Sequence, residues 1–467
     1  MIRTKIIVLL LAGASTAAAA QPAQRPQGQA DPRLSGSVPV DIVSATPVAL
    51  SLGEAIQRGL QHNLGVLSGQ EGVEAARGAR MRALADLLPH VSGRFTRAEQ
   101  QINLQAFGIP IPAGASPLIP PFGIWDARVM LSQPILDLRA INEAKAGAKR
   151  LEAAEFGYED TRDLVVLVCA NLYLQAVAAT SRVDSARAQL ATAETLYRIA
   201  ADRKQAGIAA GIEVLRANVQ VETQRQRLIA SEADLETDKL RLARAIGLPL
   251  AQVYTVSEKV PYMPLDDITP DEALARAYAS RADFKQKQAL VAAAEAGRGA
   301  ASGERMPAVY LNADYGAIGP TLGGALPTFS VLLGVRLPIF QGGAIQGRIQ
   351  EASAAMRQQQ AELADLKGRI EYEIRSALLE LKAVTELLKA AESRVALADA
   401  QLRQATDRFA AGVASNLEVV EAQEAVATAS ESRIGTLYIY NSAKAALARA
   451  MGLAEEQAAR LLKDEGK

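Results

Sequence analysis

The sequence predicts a mostly α-helical chain built from one unit written twice, with four strands of membrane β-barrel type and very long coiled-coil helices. Three observations carry this reading. First, "DRKQAGIAAGIEVLRAN" at 202–218 returns as "DRFAAGVASNLEVVEAQ" at 407–423, with Gly412 on Gly207 and Glu418 on Glu213. Second, no proline appears between about Leu138 and Gln205, and only Gly147 and Gly157 interrupt the run. At ~1.5 Å per residue that is about 100 Å of helix. Third, two segments, "IWDARVMLSQPIL" and "TFSVLLGVRLPIF", alternate apolar and polar residues as half-buried strands do.

The chain opens with "MIRTKIIVLLLAGASTAAAA", two basic residues, an apolar run and small residues. This predicts a signal peptide over 1–20, too short to span a bilayer, with no cysteine after the cut to carry a lipid anchor. Lys and Arg number 51, as do Asp and Glu. Loss of Arg3 and Lys5 leaves a slightly acidic chain, which argues against a nucleic-acid partner. Cys169 is the one cysteine, so an exported chain must be held by packing or assembly. No internal apolar run reaches the roughly 18 residues of a transmembrane helix.

Residues 21–49, rich in Pro, Gln, Gly and Ser, read as an extended lead-in. The first unit, 50–247, opens with a helix from Ser51 that Pro89 stops near Leu88. Strands are expected at about 91–104 and 123–133, with the proline-rich "FGIPIPAGASPLIPPFG" as a loop between them. The long helix, a turn near 207 and a return helix to Ile246 complete the unit. A linker over 248–268 leads to the second unit, 269–452, with strands at about 308–318 and 328–337 and a turn near 412. A tail, 453–467, ends the chain. The opening helices align at an offset of 218, and Pro338 answers Pro134 at 204, so the copies differ mainly in the hairpin between their strands. A period near 200 residues is too long for a solenoid.

Trp125, Ala127, Val129 and Leu131 share one strand face, as do Phe329, Val331, Leu333 and Val335 on another. Such faces suit lipid, with Trp125, Tyr315 and Phe329 as candidate membrane-interface aromatics. Only a closed barrel can carry strands across a bilayer, and barrels start at about eight strands. Four cannot close alone, so several chains must pool theirs. Leu363, Leu366, Ile370, Ile374, Leu378, Leu381, Val384 and Leu388 form a coiled-coil seam along the second long helix.

This order resembles the TolC family of outer-membrane efflux and secretion channels. The residues that carry the resemblance are "LSLGEAIQRGLQHN" at Leu50, "LLPHVSG" at Leu87, "LSQPIL" and "VRLPIFQGG" at strand ends, and the two turns, covering almost the whole mature chain. The resemblance implies a homotrimer with a 12-stranded barrel in outer-membrane lipid and a tunnel of twelve helices in the periplasm. It implies a belt around the tunnel from 21–49, 248–268 and 453–467. A periplasmic adaptor would touch Gly207, Ile208 and Ala209 in one turn and Gly412, Val413 and Ala414 in the other, joining the channel to an inner-membrane pump of RND, MFS or ABC type. Glu418 and Glu421 occupy positions of inward-facing acidic residues at the constriction, with Glu213 as an acidic gate partner. Where well-known members carry a latching arginine, this chain has Ala414, and where they carry a tyrosine it has Phe409.

His62 and His90 are the only histidines, and there is no Walker-type loop or C-x-x-C, so no enzyme, cofactor or metal site is expected. The rival readings are a periplasmic adaptor, which has a single hairpin threaded through β-domains, and a structural coiled-coil protein, against which the strands count.

Overall fold

The structure, a computed structural model, describes residues 32–39, 43, 46–112, 114–207, 210–256 and 268–455. The expected signal peptide, residues 257–267 of the linker, the tail beyond 455, and Ile208 and Ala209 lie outside the described residues. In chain order the elements are β1 (Val48–Leu50), α1 (Leu52–His62), α2 (Leu64–Ala85), β2 (His90–Asn103), β3 (Leu118–Leu136), α3 (Leu138–Gln205) and α4 (Gly211–Ile246). Then follow β4 (Tyr254–Val256), α5 (Pro270–Ser280), α6 (Ala282–Gly303), β5 (Ala308–Gly319), β6 (Leu326–Arg336), α7 (Ala344–Ala410) and α8 (Asn416–Ala450).

The two halves start alike. Ser51 Oγ accepts from Glu54 N–H while Ser51 N–H donates to the Glu54 carboxylate, and Thr269 and Glu272 repeat the exchange. Each box satisfies two otherwise orphaned donors at a helix start. The expected single opening helix is broken in both halves. Asn63 takes extended backbone angles, ends α1 and caps α2 by accepting from Gly65 N–H at 2.8 Å. Its amide also donates to Leu34 O at 2.7 Å and Ala245 O at 3.0 Å. Arg281 stands at the corresponding joint between α5 and α6 and donates to Ala450 O at 3.2 Å. Ala245 and Ala450 hold matching places near the ends of α4 and α8, so different side chains make the same joint.

Buried Arg281, 2 % exposed, also holds Asp283 at 2.7 Å and Glu373 at 2.6 Å. Arg449 joins Asp160 of α3 to Glu373 of α7. Nearby, Arg162 grips Glu455, whose N–H donates to Asp163. Burial pushes the Asp163 carboxyl up to about 6. These ions sit between two apolar cores. One gathers Leu50, Ile56, Val165, Cys169, Tyr173, Leu242 and Ile246; the other gathers the seam residues Leu366, Ile370, Ile374, Leu381, Val384 and Leu388 with Tyr440 and Leu447. Within α3 one window is long and apolar enough to cross a membrane, contrary to the sequence expectation, and over half of it is buried. It serves the first core. β1 and β4 pair in parallel beside that core.

The sheet order is β2-β3-β5-β6, antiparallel throughout. β3 begins at Leu118, five residues before the expected start at 123. Pro120 and Pro121 enter the strand because they fall at the register shift opposite Gln100 and Ile102, where a missing N–H breaks no regular ladder bond. β3 also runs past Pro134 to Leu136, again with a shift. Asp137 then caps α3 by accepting from Ala140 N–H.

Replacing Asn63 by Ala removes three hydrogen bonds of about 0.5–1.5 kcal/mol each. We expect a loss of about 2–4 kcal/mol, read as a lower thermal midpoint by circular dichroism; an unchanged midpoint would show the joint to be dispensable.

Candidate functional site

The register sorts the sheet into two unlike faces. One carries Val91, Phe95, Val129, Leu131, Tyr315, Phe329, Val331, Leu333 and Val335. Most are exposed, Phe329 by 77 %. The other carries His90, Ser92, Arg94, Asp126, Arg128, Asn312, Asp314, Ser330 and Arg336. Arg128 donates from Nε to Asp126 at 2.8 Å and from Nη1 to Asp314 at 2.8 Å, binding β3 to β5. A large exposed apolar sheet face on one side and a charged one on the other is the pattern of a barrel wall.

Tyr315 and Phe329 are direct cross-strand partners, in one row with Val129. Trp125 lies four residues from Val129 along β3, toward the hairpins, and opposite Arg97. Arg97 stacks 5.1 Å from the indole centroid and bonds Glu99 at 2.6 Å. The three aromatics therefore share a face but not a level. At ~3.3 Å per residue, Trp125 stands ~13 Å from the Tyr315–Phe329 row along the strand.

At the opposite end of the molecule the two helical hairpins turn. Gly207 (φ 72°) and Gly412 (φ 80°) take the left-handed angles that close a helix without Cβ strain. After α7, Gly412 N–H donates to Phe409 O and Val413 N–H to Arg408 O, two bonds that satisfy the last carbonyls. Val413 is exposed and Ala414 half-buried.

Glu213 and Glu418 lie in the first turns of α4 and α8, where the helix dipole favours a negative charge. Glu418 faces Arg408 of its own hairpin at 3.4 Å. Both are near half exposed, so the pair contributes less than about 1 kcal/mol. Glu421, one turn further, is exposed.

Sequence reasoning missed a contact between the hairpins here. Arg203, the first-half counterpart of Arg408, reaches across to the second hairpin. Its Nη1 donates to Phe409 O, and its guanidinium stacks 4.8 Å from the Phe409 ring. The repeat alignment pairs Arg203 with Arg408 but gives no hint that their targets differ. Phe409, a departure from the resembled family, is the anchor. It is buried with Leu196, Ala405, Val419 and Ala422. Asn416 donates to Glu213 O at 3.3 Å, and Arg227 grips Glu424 through both nitrogens, adding further ties between hairpins.

A two-faced four-stranded sheet continuing into long paired hairpins defines a channel-forming outer-membrane protein, and comparison with known proteins agrees. The family model "Outer membrane efflux protein" matches residues 55–248 and 273–453. The chain belongs to that family, and it is an efflux channel of the outer membrane; nothing supports the adaptor alternative. It is 24% identical over 420 residues to the toluene efflux pump outer membrane protein TtgC of Pseudomonas putida, covering 86% of this chain and 83% of that one. To the pyoverdine export outer membrane protein OpmQ of Pseudomonas putida it is 22% identical over 410 residues, 85% and 84% of the two chains. The Campylobacter jejuni CmeC outer membrane channel superposes with a TM-score of 0.76 at 17% identity, over 96% of this chain and 98% of that one. VceC of Vibrio cholerae gives 0.75 at 19% identity, over 86% and 96%.

Arg203→Ala should loosen the tip. Amide hydrogen exchange at Phe409–Gly412 is expected to rise several-fold while the core of α3 stays protected; equal exchange in both proteins would show that the hairpins are held by other contacts.

Proposed function

We propose that three copies of this chain form one duct, the β6 edge of each pairing with the β2 edge of the next to close a 12-stranded barrel. The observation that carries this is the sheet itself, apolar on one face, charged on the other and open along both edges. Lipid then takes the face of Phe329 and Val331, and the face of Arg128 lines the lumen. Trp125 with Arg97 and Glu99 marks the outer rim. Tyr315 and Phe329 sit deeper in the apolar band. Below the barrel, twelve long helices extend the wall into the periplasm. The segments 21–49, 248–268 and 453–467 form the belt, a reading supported by the β1–β4 pair and by the Arg162–Glu455 grip.

The tip is the gate, opened by movement of the hairpins. Under three-fold symmetry Glu418 and Glu421 each form an acidic ring, as in cation-selective pores, with Glu213 beside them. The turns, with Gly207, Ile208, Ala209, Gly412, Val413 and Ala414, meet a periplasmic adaptor that links the duct to an inner-membrane pump of RND, MFS or ABC type. Two similar proteins are named for toluene and pyoverdine. Small organic molecules are accordingly the proposed cargo.

The chain should purify from the outer membrane as a heat-sensitive trimer that conducts ions in planar bilayers. Glu418→Gln with Glu421→Gln should raise anion permeability; unchanged selectivity removes both from the constriction, and a water-soluble monomer without lipid affinity overturns the duct. Bulky replacements, Gly207→Tyr with Gly412→Tyr, should abolish export while the trimer persists. Normal export by that variant would clear the turns of adaptor contact.

A further inference from the structure

The polar face of the sheet carries an unbalanced charge. Its only carboxylates, Asp126 and Asp314, both bind Arg128. Arg94 stands directly opposite Arg128 in the β2–β3 register and has no carboxylate partner among the described residues. Arg336, on β6, stacks 5.4 Å from the Tyr310 ring centroid and likewise holds no carboxylate. The Asp126–Arg128–Asp314 group is negative by one charge and offsets one of these two cations. One positive charge per chain remains.

Neither strand hairpin cancels it. The hairpins 104–117 and 320–325 contain no charged residue. Arg97 and Glu99 lie on the other face and pair with each other. When a neighbouring copy's β6 closes against β2, its polar face brings Thr328, Ser330 and Leu332 and a further arginine, with no carboxylate.

Two glycines make room for large polar side chains on this face. A Cβ on Gly334 would stand 2.4 Å from the Tyr310 ring, so the ring lies across the bare backbone of β6. A Cβ on Gly316 would stand 2.4 Å from Arg128 Cβ. Arg336, stacked on the Tyr310 ring, thus lies along the wall.

Resting on the duct reading above, we propose that the barrel lumen is an anion-favouring section in which Arg94 and Arg336 engage phosphate- or carboxylate-bearing solutes. A planar guanidinium binds such groups through two parallel charge-assisted bonds, and rings of arginine are how pores favour anions. Low-dielectric barrel walls concentrate the field of these charges, and salt screens it.

The test is current block of the reconstituted full-length channel by inorganic tripolyphosphate added on the hairpin side. We expect voltage-dependent block that weakens as salt rises. Arg94→Gln with Arg336→Gln should raise the half-blocking concentration about tenfold, as lost charge-assisted bonds would, and Arg94→Lys should retain much of the block. Arg97→Gln, on the lipid side, should leave it unchanged. Equal block in the wild type and the double variant overturns the proposal, as does an equal loss in Arg97→Gln, which would place the polyanion at the membrane surface. Normal conductance with no block at all sinks the anion section alone, whereas no conductance in any preparation sinks the duct reading with it.

Discussion

The outer edges of β2 and β6 present backbone N–H and C=O groups that no strand among the described residues pairs. In water such edges are tolerable; in hydrocarbon each unpaired group costs several kcal/mol. The apolar face spanning Val91 to Val335 would draw this sheet into lipid, where its edges must be closed. Much else about the chain answers to that demand. In the proposed duct further copies supply the missing strands, and closure would turn the two faces of a flat sheet into an outside and an inside. Such closure would also carry the long helices into a ring, because Asp137 caps α3 one residue beyond the end of β3. Exposed apolar residues along the helices then gain a reason: Leu215 and Val219 on α4 and Leu379, Leu387 and Leu397 on α7 lack cover in a lone chain. A neighbour's helix would supply it.

Duplication explains the economy of the design and also its asymmetry. The two halves share caps, strands, turns and return helices, yet equivalent positions have drifted into different chemistry. A neutral amide at Asn63 and a buried cation at Arg281 secure the same helix ends. At the tip, Arg408 stays within its hairpin and Arg203 crosses to the other. A gate made of two identical hairpins would have equivalent ties. Here the bond from Arg203 to Phe409 O has no counterpart donated by Arg408, and the ties of Asn416 and Arg227 are unlike each other.

Periodic features were legible in the sequence. The seam from Leu366 to Leu388 is buried as its spacing implies, because heptad periodicity is a local property of one helix. Strand alternation was legible for the same reason. The breaks at Asn63 and Arg281 were not, since apolar spacing runs on through both and only distant carbonyls make the joints worthwhile. The start of β3 at Leu118 was hidden by Pro120 and Pro121, residues that look like a loop until a register shift accommodates them. Arg203 and Phe409 are 206 residues apart, and no local pattern announces a contact at that range.

Strength of packing varies along the helices, and this gradient places the moving part. Near the waist lie two large apolar cores and a buried arginine with three anchors. At the tip the core shrinks to Leu196, Ala405, Phe409, Val419 and Ala422. Beside it the side-chain oxygens of Asn416, Gln224 and Gln423 are buried without partners among the described residues, a destabilising feature wherever no water reaches them. Segments with few buried apolar contacts and imperfectly satisfied polar groups open at the lowest free energy. The hairpin ends can therefore part while the waist holds. The location of the proposed gate is in keeping with where apolar burial runs out, and in that proposal the acidic residues there would act on an opening that the packing already permits.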